Sequence, residues 1–365
     1  MKTVAVIFGG RSVEHDISIL TGVMALNSIE KDKFNAIPIY ITKSGEWLTS
    51  KTLFDLDEYK NLKVEKLKKV CFIAGENVLY EKKGKKLKKI ESIFCVVNCL
   101  HGERGEDGAL SGLLKMCNIP QTASDILPSA VSMDKSVSAL ILSALKIPTL
   151  KSITIDSPEQ VDIIQEKMQF PLIVKPNLLG SSIGISKATD KKSLALAIEN
   201  ALKYGEKAIV QPFLQDFIEI NCAVYRDEKG DLHLSECERP IARDKILSFG
   251  DKYKDGKREF PANIDKKLSD RIKKLSQKIY NQLNFSGVIR IDYFISQNRV
   301  YVNEINSIPG SLSYYLFFDT MKGFSKMLSS LIMASDQRHL QGQGYIIEYN
   351  SGILSSVGSK GAKRL

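Results

Sequence analysis

The stretch "VNEINSIPGS" at residues 302–311 places an acid and an amide inside an apolar run that ends at a Pro-Gly pair. Side chains alternate across a β-strand, which predicts that Val302, Glu304 and Asn306 share one face. The opposite face is predicted to carry Asn303, Ile305 and Ser307. A carboxylate therefore points where a core residue would be expected.

A second strand is predicted just upstream, in "GVIRIDYFIS" at residues 287–296. Its alternation places Arg290, Asp292 and Phe294 on one face. The opposite face is predicted to carry Ile291, Tyr293 and Ile295. A hairpin through "SQNR" would bring Asp292 opposite Glu304, and this pairing predicts an odd loop at 297–299 with Asn298 at positive φ.

These side chains predict a metal site on the hairpin. Asp292, Glu304 and Asn306 offer oxygen donors beside the Arg290 guanidinium. Buried carboxylates this close repel one another unless a cation lies between them, and hard oxygen ligands suit Mg²⁺, which normally also contacts substrate phosphates. The alternative is a solvated face with surface ion pairs, but exposed strands rarely carry so many β-branched neighbours.

Length and composition indicate a multidomain globular protein. A chain of 365 residues exceeds one compact core, and its 43% hydrophobic and 26% charged residues are typical of soluble proteins. It has no apolar run of the ~18 residues that a membrane span needs, and "MKTVAVIFGG" reads as a strand rather than a signal peptide. We expect a cytoplasmic protein. Its six cysteines, without zinc spacing or a CxxC pair, read as reduced core thiols.

The net charge of +10 raises the alternative of a nucleic-acid binder. Much of the excess lies in "EKKGKKLKKI" at 81–90 and in the tail at 358–365. No aromatic residues interleave with these lysines as a stacking platform would require. We therefore expect a solvated hairpin tip and a basic tail, with no nucleic-acid partner.

The order of apolar runs predicts a mixed α/β and α+β fold. "TVAVIFGG", "FNAIPIYIT" and "SIFCVVNCLHG", with a helix from about Asp16 to Ile29, predict a parallel α/β domain that closes near Gln121. One helix over "LPSAVSMDKSVSALILSAL" is predicted to open a smaller α/β unit. "IEINCAVYR", the amphipathic "DKKLSDRIKKLSQKIYNQL" and the hairpin then predict an antiparallel sheet, with a mobile loop at 248–262. The predicted segments are 1–122, 123–212, 213–340, and a terminal strand with the basic tail at 341–365.

One loop and two lysines suggest phosphate binding. The small residues of "KPNLLGSSIGIS" at 175–186 would let backbone N–H groups approach phosphate oxygens, although an ordinary glycine hairpin looks the same. The GK[ST] ending of a Walker loop is absent. Lys175 ends an apolar strand and Lys135 lies among apolar neighbours, where the alternative is a snorkelling surface lysine.

Two polar loops follow buried strands. "FGGRSVEHDISI" at 8–19 places Glu14 at the start of the first helix, where exposed N–H groups gather, although such an acid is usually only a cap. "HGERGEDG" at 101–108 lies where ligands bind in open α/β sheets. A lone His101 indicates little by itself.

Taken in order, FGGRSVEHDIS, LHGERGEDG, SMDKS, IVKPNLLGSSIGIS, GDKY, IRIDYF and NEINSIPG resemble the motifs of the D-alanine–D-alanine ligases of the ATP-grasp superfamily, across roughly residues 2–320. The resemblance implies three domains, with ATP between the central and C-terminal sheets and the amino acids against the N-terminal domain. It implies ligation of two D-alanines through an acyl phosphate for peptidoglycan precursors, with two Mg²⁺ or Mn²⁺ ions, in a homodimer.

Carried over by position, the resemblance implies a role for each matching residue. Nucleotide contacts fall to Lys135, Lys175, Ser182, Gln211, Leu214, Glu219 and Lys252, of which Lys252 would meet the transferring phosphoryl group. Metal binding falls to Asp292, Glu304 and Asn306. Glu14 would orient the ammonium of the first D-alanine, linked to Ser181 and Tyr253. Arg290 and the Gly310 N–H would stabilise the oxyanion, and His101 and Tyr315 would lie beside the substrates.

The chain departs from the family pattern at the second substrate. Tyr315 stands where many members have a serine that binds the acceptor carboxylate. At the nucleotide, Gln211 stands where an acid commonly meets the adenine amino group. We expect Arg290 and the Gly310 N–H to hold that carboxylate, because a guanidinium fork matches it. D-serine or D-lactate as acceptor remains an alternative, as does a non-catalytic nucleotide-binding protein. The intact metal set beside Arg290 argues against the latter.

Overall fold

The N-terminal part is a seven-stranded sheet with a helix on each side. A computed structural model describes residues 1–241, 257–346 and 348–352. The strands lie in the order β6-β5-β4-β3-β2-β1-β7, with bounds β1 Lys2–Gly9, β2 Phe34–Ile41, β3 Trp47–Thr49, β4 Lys68–Phe72, β5 Val78–Lys83, β6 Lys86–Ser92 and β7 Cys95–Asn98. Helix α1 (His15–Ser28) packs in the apolar core on one side and α2 (Ala109–Met116) in the core on the other.

This sheet is only partly parallel. Strand β1 pairs in parallel with β2 and β7, as predicted. Strands β3 to β6 are added by antiparallel pairing, so the prediction of a parallel domain is wrong for residues 47–92. The Lys-rich hairpin predicted at 81–90 is confirmed, because β5 and β6 pair antiparallel across a tight turn. The connection from β2 to β3 covers only residues 42–46, whereas a parallel crossover needs about a dozen residues or more.

The central part is a four-stranded antiparallel sheet in the order β10-β9-β11-β8. Its elements are α3 Ile126–Met133, α4 Lys135–Ala144, β8 Ile153–Ile155, α5 Val161–Lys167, β9 Leu172–Pro176, β10 Ser186–Ala188, α6 Lys191–Leu202 and β11 Ala208–Pro212. The single helix predicted over "LPSAVSMDKSVSALILSAL" is wrong, because Asp134 interrupts it. Its backbone is extended, and its side chain accepts a hydrogen bond from the Val137 N–H at 2.9 Å, which caps the start of α4.

The C-terminal part is a second four-stranded antiparallel sheet, in the order β13-β12-β16-β17, covered by an amphipathic helix. Its elements are β12 Ile218–Arg226, β13 Leu232–Leu234, β14 Arg239–Pro240, β15 Arg258–Glu259, α7 Lys266–Gln282, β16 Val288–Ser296 and β17 Arg299–Asn306. Ile272 and Ile279 of α7 pack with Ile289 and Ile291 of β16, as the apolar periodicities predict. Strands β14 and β15 form a separate two-stranded ribbon.

The last helix returns to the N-terminal sheet. Helix α8 (Met321–Gln343) places Phe324 and Leu331 in the same core as Val4 and Val6 of β1. Residues 344–346 and 348–352 contain no strand, so the described part of the predicted terminal strand is not formed. Lys252, Tyr253, most of the predicted mobile loop and the basic tail lie outside the described residues. No helix in the described part of the chain is long and apolar enough to cross a membrane.

The hairpin of β16 and β17 has a different turn and register from the predicted ones. Ser296 pairs with Arg299, so the turn has two residues rather than three. Both turn residues, Gln297 at φ 49° and Asn298 at φ 59°, are left-handed, which confirms the prediction for Asn298. The register then shifts by one residue, because Asp292 pairs with Glu304 whereas the next residue, Tyr293, pairs with Val302. Asn303 is the extra residue of a β-bulge.

Candidate active site

The bulge decides which side chains of β17 enter the site. Val302 is buried in the same core as Ile305, so the predicted alternation is wrong at this point. Asn303 instead faces a cleft, where its Oδ1 accepts a hydrogen bond from Lys175 Nζ at 2.9 Å. Asp292 and Glu304 nevertheless oppose each other across the two strands, as predicted.

A row of polar residues crosses the C-terminal sheet. Asn221 of β12 pairs with Asp292, Asp292 pairs with Glu304, and Glu238 forms a bridge with Asn221. Residues directly opposite one another share a face of a sheet, and Asn221 Nδ2 donates to Glu238 Oε2 at 3.1 Å. Sequence reasoning missed Asn221 and Glu238, although both are polar residues within apolar strand patterns.

Arg290 forms a bidentate ion pair with Asp292. Its Nε donates to Oδ1 at 2.7 Å and its Nη2 donates to Oδ2 at 2.9 Å, so the guanidinium fork lies on this carboxylate. Asn306 Nδ2 also donates to Asp292 Oδ2, at 3.2 Å. Only Nη1 of Arg290 lies outside the ion pair.

A cleft opens between the two four-stranded sheets. The residues predicted to contact nucleotide that line it are Lys135, Lys175, Ser182, Gln211, Leu214 and Glu219. Glu304 of the predicted metal set lines the same cleft. Residues from both sheets therefore meet in one space.

Both predicted lysines are held inside this cleft. Lys175 is 6% exposed, and its ammonium lies 5.6 Å from the centroid of the Phe294 ring. Lys135 begins α4, and its Nζ donates to the Leu179 carbonyl at 2.8 Å and lies 3.8 Å from Glu304 Oε2. The alternative of snorkelling surface lysines is therefore wrong for both.

The loop between β9 and β10 reaches the N-terminal domain. Ser181 and Ser182 are left-handed, with φ of 56° and 59°, and successive residues of this kind present backbone N–H groups as an anion-binding concavity. The Ser181 hydroxyl donates to the Glu14 carboxylate. Glu14 occupies the N-cap position of α1, but its side chain makes no capping hydrogen bond, so the alternative in which this carboxylate serves only as a cap is wrong.

A smaller pocket adjoins the cleft and contains Glu14. Lys135, Gly180 and Glu304 line both spaces. Glu106, which sequence reasoning missed, also lines the smaller pocket. Nothing in "HGERGEDG" distinguishes this glutamate from its charged neighbours before the loop is folded.

Glu106 links the N-terminal domain to the end of β17. Its Oε2 accepts from the Gly102 N–H at 2.8 Å, and its Oε1 accepts from the Ile308 N–H at 3.0 Å. Burial, reinforced by the charge of Glu14, raises the pKa of Glu106 to about 8. The two N–H donors oppose this rise.

His101 supports the same segment from beneath. Its Nε2 lies 2.9 Å from Thr21 Oγ1, which accepts a hydrogen bond from the Ser311 N–H at 3.0 Å. Burial lowers the pKa of His101 to about 4, although a hydrogen bond with the Ile308 backbone opposes this effect. His101 is therefore neutral at pH 7 and fixes the turn that follows β17.

That turn, a 3₁₀ segment at Gly310–Leu316, contains three consecutive left-handed residues. Ser311, Leu312 and Ser313 have φ of 52°, 49° and 47°, a conformation that costs roughly 1–2 kcal/mol per residue. Ser313 Oγ is buried with no hydrogen-bond partner among residues 1–241, 257–346 and 348–352. Strain and an unmet polar atom in one turn are typical of functional sites.

Tyr315 lies at the far end of this turn, beside two arginines. Burial raises the pKa of Tyr315 to about 12, and the charges of Arg290 and Arg258 oppose the rise. The Arg258 guanidinium lies 4.5 Å from the centroid of the Tyr315 ring. The predicted partners Lys252 and Tyr253 cannot be placed, since they lie outside the described residues.

Two antiparallel sheets that enclose a cleft between lysines and acids define an ATP-grasp enzyme. The model of the D-Ala–D-Ala ligase C-terminus matches residues 142–333, and that of the N-terminus matches residues 3–124. The chain therefore belongs to the D-alanine–D-alanine ligase family. It is therefore a ligase, as the resemblance of its seven motifs to this family predicted.

Individual relatives agree along nearly the whole chain. It is 38% identical to the D-alanine–D-alanine ligase of Thermosipho melanesiensis, over 91% of this chain and 93% of the relative. The solved D-alanine–D-alanine ligase of Coxiella burnetii matches with a TM-score of 0.80 at 25% identity, over 94% of this chain and 96% of that one. The VanG D-Ala:D-Ser ligase of Enterococcus faecalis matches with a TM-score of 0.78 at 31% identity, over 92% and 99%.

Proposed function

We propose that this protein joins two molecules of D-alanine to D-alanyl-D-alanine, using ATP, for peptidoglycan precursor synthesis. Its family is ATP-dependent and uses metal ions. The observation that carries the proposal is that Lys135, Gly180 and Glu304 line both the large cleft and the smaller pocket. A phosphoryl group held in the cleft would face a carboxylate held in the pocket.

The cleft suits a nucleotide. Lys135 and Lys175 supply positive charge for the phosphates, and the left-handed Ser181 and Ser182 supply backbone N–H donors. Gln211 and Leu214 line the part of the cleft assigned to adenine. Glu219, farther along, is assigned to the ribose.

The acids of the hairpin fit a hard divalent cation. Asp292 and Glu304 oppose each other, and Asn306 adds an amide oxygen, which is the donor chemistry that Mg²⁺ prefers, with Mn²⁺ as a substitute. The described chain gathers no group of three or more His, Cys, Asp or Glu around a metal-sized space, so the remaining ligands would be nucleotide phosphates and water. When bound, the two ions would neutralise charge on the transferring phosphoryl group.

The first D-alanine is assigned to the smaller pocket. Glu14, held by the Ser181 hydroxyl, would accept hydrogen bonds from its ammonium group. A carboxylate is a poor electrophile until one oxygen becomes a leaving group, and ATP supplies that group by phosphorylating it. The roles of Lys252 and Tyr253 in this step rest on the resemblance alone.

The second D-alanine attacks the acyl phosphate through its free amine. The new C–N bond forms, the carbonyl oxygen becomes an oxyanion, and inorganic phosphate leaves as the amine loses its proton. Arg290 Nη1 and the Gly310 N–H are assigned to this oxyanion. Glu106, His101 and Thr21 would hold the segment that carries Gly310.

The test is ADP release with each D-amino acid singly and in pairs, with chromatographic detection of the dipeptide. D-alanine alone is expected to give ADP and D-alanyl-D-alanine in equal amounts. Nucleotide binding without ADP release under any pairing would instead support the non-catalytic alternative.

D-serine as the acceptor is the second candidate. Tyr315 replaces the usual serine beside the acceptor site, and a D-Ala:D-Ser ligase is among the similar solved structures. A mixed dipeptide that forms in preference to D-alanyl-D-alanine, at equal concentrations of both amino acids, would favour it. D-lactate as acceptor would give an ester in the same assay.

Two further features belong to the proposal. A homodimer is expected from the family resemblance, and sedimentation equilibrium measures it. A cytoplasmic location is expected because ATP is supplied there, and cell fractionation measures it.

A further inference from the structure

The ion pair of Arg290 leaves the acceptor carboxylate without its expected partner. Sequence reasoning assigned the planar fork of Arg290 to that carboxylate, but two of its three nitrogens donate to Asp292. Tyr315, which stands in place of the usual serine, carries a hydroxyl but no charge. A cationic side chain on the Tyr315 side of the site would supply the charge-assisted hydrogen bonds that suit a carboxylate.

Arg258 occupies that position. It begins β15, and its guanidinium lies 4.5 Å from the centroid of the Tyr315 ring and 5.5 Å from that of Phe260. A cation over an aromatic face is attracted by the ring quadrupole. These contacts hold the guanidinium beside the turn that begins at Gly310 and contains Tyr315.

Glu238 holds the same arginine without using its fork. Arg258 Nη1 donates to Glu238 Oε1 at 3.2 Å, and this is its one carboxylate partner within the described part of the chain. Its side chain is 37% exposed, whereas that of Glu238 is 5% exposed. Arg258 is thus anchored on a buried acid while its side chain remains partly exposed.

The polar row of the C-terminal sheet places this pair relative to the reaction centre. Glu238, Asn221, Asp292 and Glu304 lie in register on neighbouring strands, and neighbouring strands are about 4.8 Å apart. Because Arg258 contacts Glu238, it lies at the end of this polar row that is farthest from Glu304. An acceptor that enters at this end would present its amine toward the hairpin and its carboxylate toward Arg258.

We propose that Arg258, stacked on Tyr315 and anchored by Glu238, binds the carboxylate of the second amino acid. This inference rests on the proposed function and names the residue that takes over from the serine common in the family. The ligand class is a small D-amino or D-hydroxy acid with a free carboxylate. Tyr315 acts as a positioning residue for the arginine.

The test separates the acceptor from the donor. Dipeptide formation against D-alanine concentration reports the acceptor, and hydroxamate formed with ATP, D-alanine and hydroxylamine reports the donor half-reaction. We expect Arg258→Gln to raise the acceptor KM about 10- to 100-fold, as for a lost charge-assisted hydrogen bond. Hydroxamate formation is expected to stay within about twofold, as loss of an acceptor contact leaves the donor site intact.

D-alaninamide supplies a sharper probe, since it has the amine of D-alanine without the carboxylate. The unmodified protein should prefer D-alanine over D-alaninamide as acceptor, and Arg258→Gln should remove most of that preference. Arg258→Lys keeps the charge but loses the fork, so an intermediate acceptor KM is expected. If the thermal midpoint of Arg258→Gln shows that this variant does not fold, Arg258→Lys replaces it in the test.

Arg239→Gln is the matched control. Arg239 lies on the partner strand of the same ribbon and pairs with Glu259 at 3.9 Å, away from Tyr315. It should leave both assays unchanged. If Arg258→Gln kept the acceptor KM of the unmodified protein and its preference for D-alanine, the inference about Arg258 would be wrong and the proposed function would stand. If the unmodified protein formed neither hydroxamate nor dipeptide, the proposed function itself would be wrong.

Discussion

Two hairpins of this protein have the same construction and opposite surroundings. Strands β5 and β6 are joined by a two-residue turn, and their register shifts between Leu79 and Tyr80, which makes Ile90 the extra residue. Strands β16 and β17 also have a two-residue turn and one bulge, at Asn303. The first hairpin is largely exposed along β6, whereas β16 is almost wholly buried.

The difference shows that a bulge has no fixed use. Ile90 packs against the core of the N-terminal sheet, and the lysines around it face solvent. Asn303 is directed into a cleft and meets a buried lysine. The same backbone irregularity therefore adds an apolar contact in one place and a polar site residue in the other, according to what packs against the strand.

Removing one carboxylate from each hairpin should produce the largest difference in activity between the two hairpins. Glu304→Gln is expected to lower kcat/KM for ADP release about 10³-fold, because it removes a carboxylate assigned to hold the metal ions that would neutralise the transferring phosphoryl group. Glu91→Gln, on exposed β6, should stay within about twofold. Steady-state kinetics with D-alanine measures both. A loss of less than tenfold in Glu304→Gln would contradict the assignment of this acid.

Acid should destabilise the region around the buried hairpin through His101. Its pKa of about 4 lies below the ordinary 6.5, so the unfolded chain binds a proton that the folded protein does not. The stability is present above pH 6.5 and is lost as pH falls toward 4, by about 3 kcal/mol. Urea unfolding at pH 7.0 and 4.5 should show a smaller loss in His101→Gln than in the unmodified protein.

Titration of Glu106 does not affect the difference in stability loss between His101→Gln and the unmodified protein. Its raised pKa acts in the opposite sense, because its stabilising contribution declines as pH rises from about 4.5 toward 8. It is present in both proteins, so the difference between them isolates His101. Lys88→Gln, on β6, is the control and should lose as much stability as the unmodified protein.

Two glycines should respond to alanine in opposite ways. Neither Gly310 nor Gly84, in the turn of the exposed hairpin, has a described atom within 4 Å of an added Cβ, but Gly84 has φ of 59°. Gly84→Ala should cost about 1 kcal/mol of stability and leave activity unchanged. Gly310→Ala should keep or slightly raise stability and slow turnover about 10- to 50-fold, because only a ligand would meet the methyl group.

Thermal unfolding and ADP release, run together, check this pair. Unchanged turnover in Gly310→Ala would mean that no ligand approaches that backbone closely. A loss of activity in Gly84→Ala without a loss of stability would contradict the view of the exposed hairpin as structural.

The two bulged residues should give the smallest effects. Asn303→Ala removes the acceptor of the Lys175 hydrogen bond, which should weaken ATP binding about 5- to 10-fold with little change in stability. Ile90→Ala should lower stability by about 1 kcal/mol and leave ATP binding unchanged. Calorimetric titration with a non-hydrolysable ATP analogue measures the first, and urea unfolding the second. Equal ATP affinities in both variants would remove the distinction between the hairpins.

Much of this site was predictable because local patterns carry its chemistry. Period-two alternation predicted the hairpin with Asp292 against Glu304, and an apolar strand ending in Lys175, followed by the small residues of 176–186, predicted the loop beside the cleft. The same patterns failed where one residue changes the backbone. Asp134 ends one helix and begins the next, and the short connection after β2 forces antiparallel pairing.

Local sequence predicted most of the strands, the main helices and the order of the motifs, because these depend on propensity and periodicity over a few neighbouring residues. Which side chains meet depends instead on how the elements pack. Ser181 reaches Glu14 from another domain, Glu106 meets Ile308 across the interface, and Arg258 stacks on Tyr315. Each contact joins segments far apart in the chain, and its geometry and pKa shifts arise from burial that no local pattern records.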